Sequence, residues 1–214
     1  MMAQCRVTEI FYSLQGETRT VGLPTVFVRL TGCPLRCGYC DTEYAFYGGQ
    51  KREISDIVAE VAAYQPRYIT VSGGEPLAQS SCRQLLSELC DLGAEVSLET
   101  SGAMDISNID PRVIRVMDLK TPGSGEEKRN RYQNLQLLTT HDQLKFVICH
   151  RQDYDWSVET IRTYQLQDRC ELLFSPVHSE LDPAELAEWI IADNLPVRMQ
   201  VQLHKYLWQD AQGR

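Results

Sequence analysis

Three cysteines, Cys33, Cys37 and Cys40, fall within eight residues in the segment Gly32-Cys33-Pro34-Leu35-Arg36-Cys37-Gly38-Tyr39-Cys40-Asp41-Thr42, with the spacing C-x3-C-x2-C. Their thiolates can converge on one centre if the backbone loops around it, and Gly32, Pro34 and Gly38 suit such a loop. Four readings compete. A structural zinc ion normally takes four protein ligands, and no fourth Cys or His lies at a customary spacing. A disulfide is disfavoured in a reducing compartment and would leave one thiol over. Chance burial of the three as core residues fits poorly with Pro, Arg and Gly as neighbours. A [4Fe–4S] cluster usually takes four cysteines. With only three, one iron stays open to a small molecule, the counterpart of an open catalytic metal position. The other cysteines (Cys5, Cys82, Cys90, Cys149 and Cys170) stand among apolar residues and are expected in the core.

The elements that must carry this loop form a rhythm of short apolar runs and amphipathic stretches. Strands are expected at residues 25–31, 68–72, 95–100, 113–118, 144–149, 171–174 and 198–203, all rich in β-branched and apolar side chains. Helices are expected between several of them. Ile54, Ile57, Val58 and Val61 make one stripe, and Cys82, Leu85, Leu86 and Leu89 a second, which Gly93 ends. Asp182-Pro183 opens a third, cap before proline, with Leu186, Trp189 and Ile190 on one face. The alternation predicts an α/β fold with a mostly parallel sheet, open or barrel-like. Polar motifs then follow the strand ends: Gly32-Cys33, Gly73-Gly74-Glu75-Pro76, Ser101-Gly102, Leu119-Lys120, Ser175-Pro176 and His204-Lys205. Parallel α/β proteins build active sites at that edge. Turn chemistry explains the glycines, but not three cysteines, Glu75, Lys120 and His204 together.

The chain has 214 residues, enough for a single core, with 43% hydrophobic and 23% charged residues. Its net charge of -8 argues against sequence-independent nucleic-acid binding. The basic run Lys128, Arg129, Arg131 is short and is expected to be solvated surface. No stretch reaches the ~18–20 apolar residues of a membrane span, and the first residues lack an apolar signal core. A cytoplasmic protein without membrane partners is expected.

C-x3-C-x2-C followed by a GGEP motif after the next strand resembles the radical SAM superfamily, whose cluster binds S-adenosylmethionine (SAM) through its open iron and cleaves it to a 5′-deoxyadenosyl radical. Further features are Ser13-Leu14-Gln15-Gly16-Glu17, Phe27-Val28-Arg29-Leu30, Cys40-Asp41-Thr42 and the terminal Gln202-Leu203-His204-Lys205-Tyr206. Together they resemble the 7-carboxy-7-deazaguanine synthases over residues 9–208. The resemblance implies one radical SAM domain over residues 1–214, folded as an abbreviated (β/α) barrel, with a substrate loop near 9–24 and a C-terminal extension near 209–214. It also implies conversion of 6-carboxy-5,6,7,8-tetrahydropterin to 7-carboxy-7-deazaguanine with loss of ammonia, on the route to queuosine. The implied cofactors are a [4Fe–4S] cluster, SAM and Mg2+. The implied partners are a second copy of the chain and an electron donor such as flavodoxin or ferredoxin.

Carried over residue by residue, the resemblance assigns the cluster to Cys33, Cys37 and Cys40. It assigns SAM to Tyr39, Cys40, Asp41, Gly74, Glu75, Glu99, Asp118, Leu119, Lys120, Ser175, Pro176, Val177 and His178. The Glu75 carboxylate would pair with the methionyl ammonium. Substrate falls to Leu14, Gln15, Gly16, Glu17, Arg29, Ser72 and His204, and Mg2+ to Thr42. Arg29 sits in an apolar strand, where an unpaired guanidinium is costly, so it must face a partner: the substrate carboxylate, or a structural ion pair. Two departures stand out. Thr18 follows Glu17 where the family has glycine, and Asp118-Leu119 replaces Ser-Pro before the lysine. Two other readings remain: a small radical SAM activase that installs a glycyl radical on a protein, and a non-catalytic zinc or cluster-binding module.

Overall fold

A computed structural model describes residues 3–178, 180–209 and 211–213; Met1, Met2, Ser179, Asp210 and Arg214, the last two within the expected extension, lie outside the described residues. The chain starts with a long strand that apolar patterning does not reveal, β1 (Gln4–Leu14). Only its first residues alternate cleanly between buried and exposed, and its register shifts between Val7 and Glu9. Such a bulge breaks the two-residue period on which sequence recognition depends. β1 pairs antiparallel with β2 (Pro24–Leu30) and with the short β3 (Gln50–Glu53).

From β2 onward the sheet is parallel. After α1 (Ile54–Ala63) come β4 (Tyr68–Gly73), α2 (Cys82–Cys90), β5 (Glu95–Thr100) and β6 (Ile114–Asp118). Then follow β7 (Gln143–Ile148), α3 (Arg151–Tyr164), β8 (Glu171–Pro176), α4 (Pro183–Ala192), β9 (Arg198–Met199) and α5 (Leu203–Trp208). The strand order is β3-β1-β2-β4-β5-β6-β7-β8-β9, an open sheet curled as a partial barrel. Only turns and 3-10 segments connect β5 to β6 and β6 to β7, which is where the barrel is abbreviated.

The expected stripes bury Ile54, Ile57 and Val61 from α1 and Cys82, Leu85, Leu86 and Leu89 from α2. The five cysteines outside the cluster segment are all buried. Helix α3 was not expected, because its stripe of Tyr154, Val158 and Ile161 is diluted by eleven other, mostly polar, residues in a fourteen-residue helix. Toward the C-terminus a strand was expected over residues 198–203, but β9 is two residues long and residues 203–208 are helical. There the side chains of Gln200 and Gln202 turn to the 15–23 loop, as Gln200 Oε1 accepts from the Thr18 amide at 2.8 Å.

That loop, between β1 and β2, closes the N-terminal end of the barrel. Thr18, Arg19 and Thr20 border a small void with Tyr68, Glu95, Ile114 and Gln143, the first residues of the parallel strands β4, β5, β6 and β7. Arg19 N–H donates to Gln143 Oε1 at 3.2 Å, and Leu203 N–H to the Gly16 carbonyl at 3.0 Å. Thr18 takes a left-handed φ of 66° while 3% exposed, which is why a glycine suits this position.

Two substitutions test this backbone in opposite directions. Left-handed strain costs an L-residue about 1–2 kcal/mol and the freedom of glycine costs about 0.4–1 kcal/mol, so Thr18→Gly should stabilise the fold by roughly 0.5–1 kcal/mol. A lower melting temperature would show that the Thr18–Thr20 hydroxyl contact at 3.2 Å outweighs the strain. Gly73 has φ 137°, and a Cβ there would lie 2.1 Å from the Leu30 carbonyl oxygen. Gly73→Ala should cost at least about 2 kcal/mol in urea unfolding, and a loss below half of that would contradict the close approach.

Candidate active site

The barrel holds a cavity of about 590 Å³, in the size range that holds small-molecule ligands, with the 15–23 loop contributing to its wall. At one end is the segment between β2 and β3. Gly32 N–H donates to the Ala45 carbonyl at 2.8 Å, Cys40 N–H to Cys37 at 3.2 Å and Gly38 N–H to Ser124 at 3.1 Å. This folding brings Cys33, Cys37 and Cys40 to line the same cavity as free thiols. Burial pushes all three thiols up, Cys37 to about 11, and the Lys120 ammonium opposes the shift at each.

This donor set fits an iron–sulfur cluster. The three sulfurs share one space, yet among the described residues no three His, Cys, Asp or Glu side chains converge tightly enough for a single ion. Soft thiolates spread around a void suit a body larger than one metal ion. Lys120, facing all three, would offset the negative charge of a thiolate-bound cluster.

The strand-end motif locks onto this segment through its backbone. Gly74 N–H donates to Leu30 at 3.1 Å and Glu75 N–H to Gly32 at 2.8 Å, and a Cβ on Gly74 would lie 2.2 Å from the Gly32 oxygen. Gly73 and Gly74 line the cavity. Glu75 departs from the expectation that its carboxylate faces a ligand. It is fully buried and accepts from Leu77 N–H at 2.9 Å, Thr100 Oγ1 at 2.9 Å, Ser101 N–H at 2.7 Å and the Ser101 hydroxyl. Four donors already satisfy it, so it builds the rim rather than facing the cavity.

Leu119 also departs from its expected position. It is a core residue, and its N–H donates to the Lys145 carbonyl at 2.9 Å. Its neighbours Asp118 and Lys120 do line the cavity and pair at 2.8 Å. Burial alone would depress the Lys120 ammonium, but Asp118 and the Cys37 thiol more than offset it and hold it above its usual range. Asp118 Oδ1 and the Tyr39 hydroxyl are buried and without hydrogen-bond partners among the described residues, although both residues line the cavity. A buried acceptor and a buried donor left open in this way call for a polar ligand. Asp41, Ser175, Pro176, Val177 and His178 line the cavity as well.

Arg29, near the C-terminal end of β2, lines the same cavity. Its Nε donates to Glu9 Oε1 at 2.7 Å, Tyr44 OH donates to the same oxygen at 2.8 Å, and the Phe11 and Tyr44 rings flank the guanidinium at 5.5 and 5.7 Å. Glu9 supplies a structural ion pair for the buried arginine, while its terminal amino groups make no hydrogen bond among the described residues. Ser72 Oγ donates to Glu99 Oε2 at 2.8 Å, and both residues line the cavity. Burial raises the Glu99 carboxyl, with Lys145 opposing.

The loop residues Leu14, Gln15, Gly16 and Glu17 also reach the cavity. Gln15 is 2% exposed and its amide is engaged: Nε2 donates to Thr70 Oγ1 at 3.0 Å and Oε1 accepts from Glu17 N–H at 3.2 Å. Its side chain orders the loop instead of presenting an open amide. Gly16 lies against His204, where a Cβ would fall 2.4 Å from Nδ1. Thr42 Oγ1 donates to Asp41 Oδ1 at 2.7 Å, and Gln202 Nε2 donates to Asp41 Oδ2 at 2.8 Å.

Glu9, Tyr44, Lys145 and Gln202 were not anticipated from the sequence. Lys145 was findable, since a lone lysine in the apolar run Leu144-Lys145-Phe146-Val147 carries the same signal as Arg29. Glu9 was not, because its pairing opposite Arg29 needs the bulged register of β1.

Comparisons agree with this geometry. The family model described as the radical SAM superfamily matches residues 27–167. The 7-carboxy-7-deazaguanine synthase of Chlorobaculum tepidum is 43% identical, covering 99% of this chain and 98% of its own. That of Koribacter versatilis is 40% identical, covering 95% and 96%. The crystal structure of QueE from Escherichia coli superposes with a TM-score of 0.75 at 22% identity, covering 93% of this chain and 94% of the other. SuiB from Streptococcus suis, bound to S-adenosylmethionine, gives 0.58 at 13% identity, covering 80% and 48%. With a matching superfamily model and relatives aligned from end to end, the chain belongs to the radical SAM superfamily and, within it, to the 7-carboxy-7-deazaguanine synthase family.

Proposed function

We propose that this chain is a radical SAM lyase that converts 6-carboxy-5,6,7,8-tetrahydropterin to 7-carboxy-7-deazaguanine and ammonia, in the route to queuosine. The observation that carries the reading is a single cavity lined both by three thiols and by an arginine whose terminal amino groups make no hydrogen bond among the described residues. Product and ammonia together hold the atoms of the substrate, so no oxidant is consumed overall. When bound, the cluster and SAM supply a carbon-centred radical able to abstract hydrogen.

The protein's own residues bind, orient and exclude water. Cys33, Cys37 and Cys40 hold the cluster. The backbone of Gly73 and Gly74, with Tyr39, Asp41, Glu99, Asp118, Lys120 and residues 175–178, shapes the SAM half. Tyr39 OH and Asp118 Oδ1 supply the open donor and acceptor there. Arg29, oriented by Glu9 and Tyr44, offers its terminal amino groups to the substrate carboxylate in a bidentate contact. Leu14, Gly16, Ser72 and His204 enclose the pterin, while Gln15 and Glu17 set the course of the loop. Thr42, beside Asp41, gives Mg2+ a first ligand; that ion keeps waters and accepts substrate oxygens for the rest.

In this reading residues 1–214 form one domain that works in the cytoplasm as a homodimer, reduced by a flavodoxin or ferredoxin. Neither nucleic acid nor membrane is a partner, and among the described residues no helix is long and apolar enough to cross a membrane.

The test is anaerobic reconstitution with iron and sulfide, then incubation with SAM, reductant and the carboxytetrahydropterin. Wild type should form the deazaguanine acid. Cys37→Ala should lose both cluster absorption and SAM cleavage. Arg29→Ala should keep both but bind the pterin about 10–100-fold more weakly, the loss expected for charge-assisted hydrogen bonds of about 1.5–3 kcal/mol. Unchanged pterin affinity in Arg29→Ala would remove the carboxylate assignment, and a glycyl radical formed on a protein in place of pterin turnover would favour an activase.

A further inference from the structure

Lys145 lies in the middle of β7 with its ammonium in the cavity, 2.9 Å from Glu17 Oε2 at the inner end of the 15–23 loop. Both side chains are largely buried, at 17% and 14% exposure, so neither charge has water to replace its partner. Glu17 is held further by Gln200 Nε2 at 3.2 Å and Gln202 Nε2 at 3.3 Å, both from the chain after β9. Three parts of the molecule thus meet at one carboxylate: the loop itself, β7 and the segment beyond the last strand.

The surroundings are acidic. Glu99 and Asp118 both face Lys145, and burial, with Glu17 adding to it, raises the Glu99 carboxyl. Lys120 is already paired with Asp118, which leaves Lys145 to separate Glu17 from Glu99. Without its charge the two carboxylates would repel, and the loop carrying Gly16 and Glu17 would be driven outward.

We propose that Lys145 is a positioning residue for the pterin site: its ammonium latches the 15–23 loop into the barrel through Glu17 and so fixes the depth of the substrate pocket. The inference rests on the lyase reading above for the identity of the ligand, but not for the latch itself. Lys145 acts through the loop rather than on the reacting atoms.

A double-mutant cycle tests it on cluster-loaded protein with Lys145→Met, Glu17→Gln, the double variant and Lys145→Arg. Pterin and SAM dissociation constants, iron content and amide exchange over residues 15–23 are measured for each. Either single variant should weaken pterin binding at least about tenfold and speed exchange in the loop, with SAM affinity and iron content within twofold of wild type. The double variant should be no worse than the poorer single, because both changes open one latch. Lys145→Arg, which keeps the charge, should recover most of the affinity. Unchanged pterin affinity and loop exchange in Lys145→Met overturn the proposal, as do losses that multiply in the double variant, which would mean that Lys145 touches the pterin directly. If Lys145→Met does not fold, Glu17→Gln decides by the same two readouts. Failure of the wild type to bind the pterin would count against the lyase reading, while loop exchange without ligand would still decide the latch.

Discussion

The close approach of two backbones governs this structure. At the end of β4, Gly73 and Gly74 lie so near the end of β2 that no Cβ fits: the gaps to the carbonyl oxygens of Leu30 and Gly32 would be 2.1 and 2.2 Å. Hydrogen bonds from Gly74 and Glu75 to those same carbonyls tie the strand ends together. The cysteine segment begins at Gly32, so its direction is set by this junction. Glu75, buried beneath and bonded to Thr100 and Ser101, extends the junction to the end of β5. The rim that holds the thiols is therefore a chain of backbone contacts across three strand ends, and its stiffness does not depend on a ligand.

A second principle is the pairing of buried charge. Among the cations lining the cavity, three meet a carboxylate within 2.9 Å: Arg29 of β2 with Glu9, Lys120 just after β6 with Asp118, and Lys145 of β7 with Glu17. A lone buried charge would be heavily penalised, and pairing makes each tolerable. Two of the pairs also leave something open. Arg29 keeps its terminal amino groups, Asp118 keeps Oδ1, and Lys120 faces the three thiols. Cavity polarity is thus fixed before any ligand arrives, which reduces the reorganisation that binding would demand.

The 15–23 loop joins these two features. It enters from the N-terminal side of the barrel, opposite the edge where α/β sheets usually place their sites, and supplies part of the wall of a cavity whose other end carries the cysteines. An open sheet whose connections after β5 and β6 carry no α-helix leaves room for such a plug. The segment after β9 packs on it through Gln200, Gln202 and Leu203, so both ends of the chain build the same pocket.

The sequence by itself determined what is local. The three cysteines, the paired glycines, the lone arginine in an apolar strand and the parallel strands from β4 to β8 all announce themselves through residue type and short-range spacing. Tertiary structure alone decided which polar groups face the cavity. Glu75 and Leu119 turn away because their donors and contacts lie on neighbouring strands, and Gln15 is taken up by Thr70 across the barrel. Glu9 meets Arg29 only because a bulge shifts β1, and Glu17 meets Lys145 across 128 residues of chain. A hydrogen bond or ion pair between residues so far apart in sequence leaves no period in either segment, so only the folded chain reveals it.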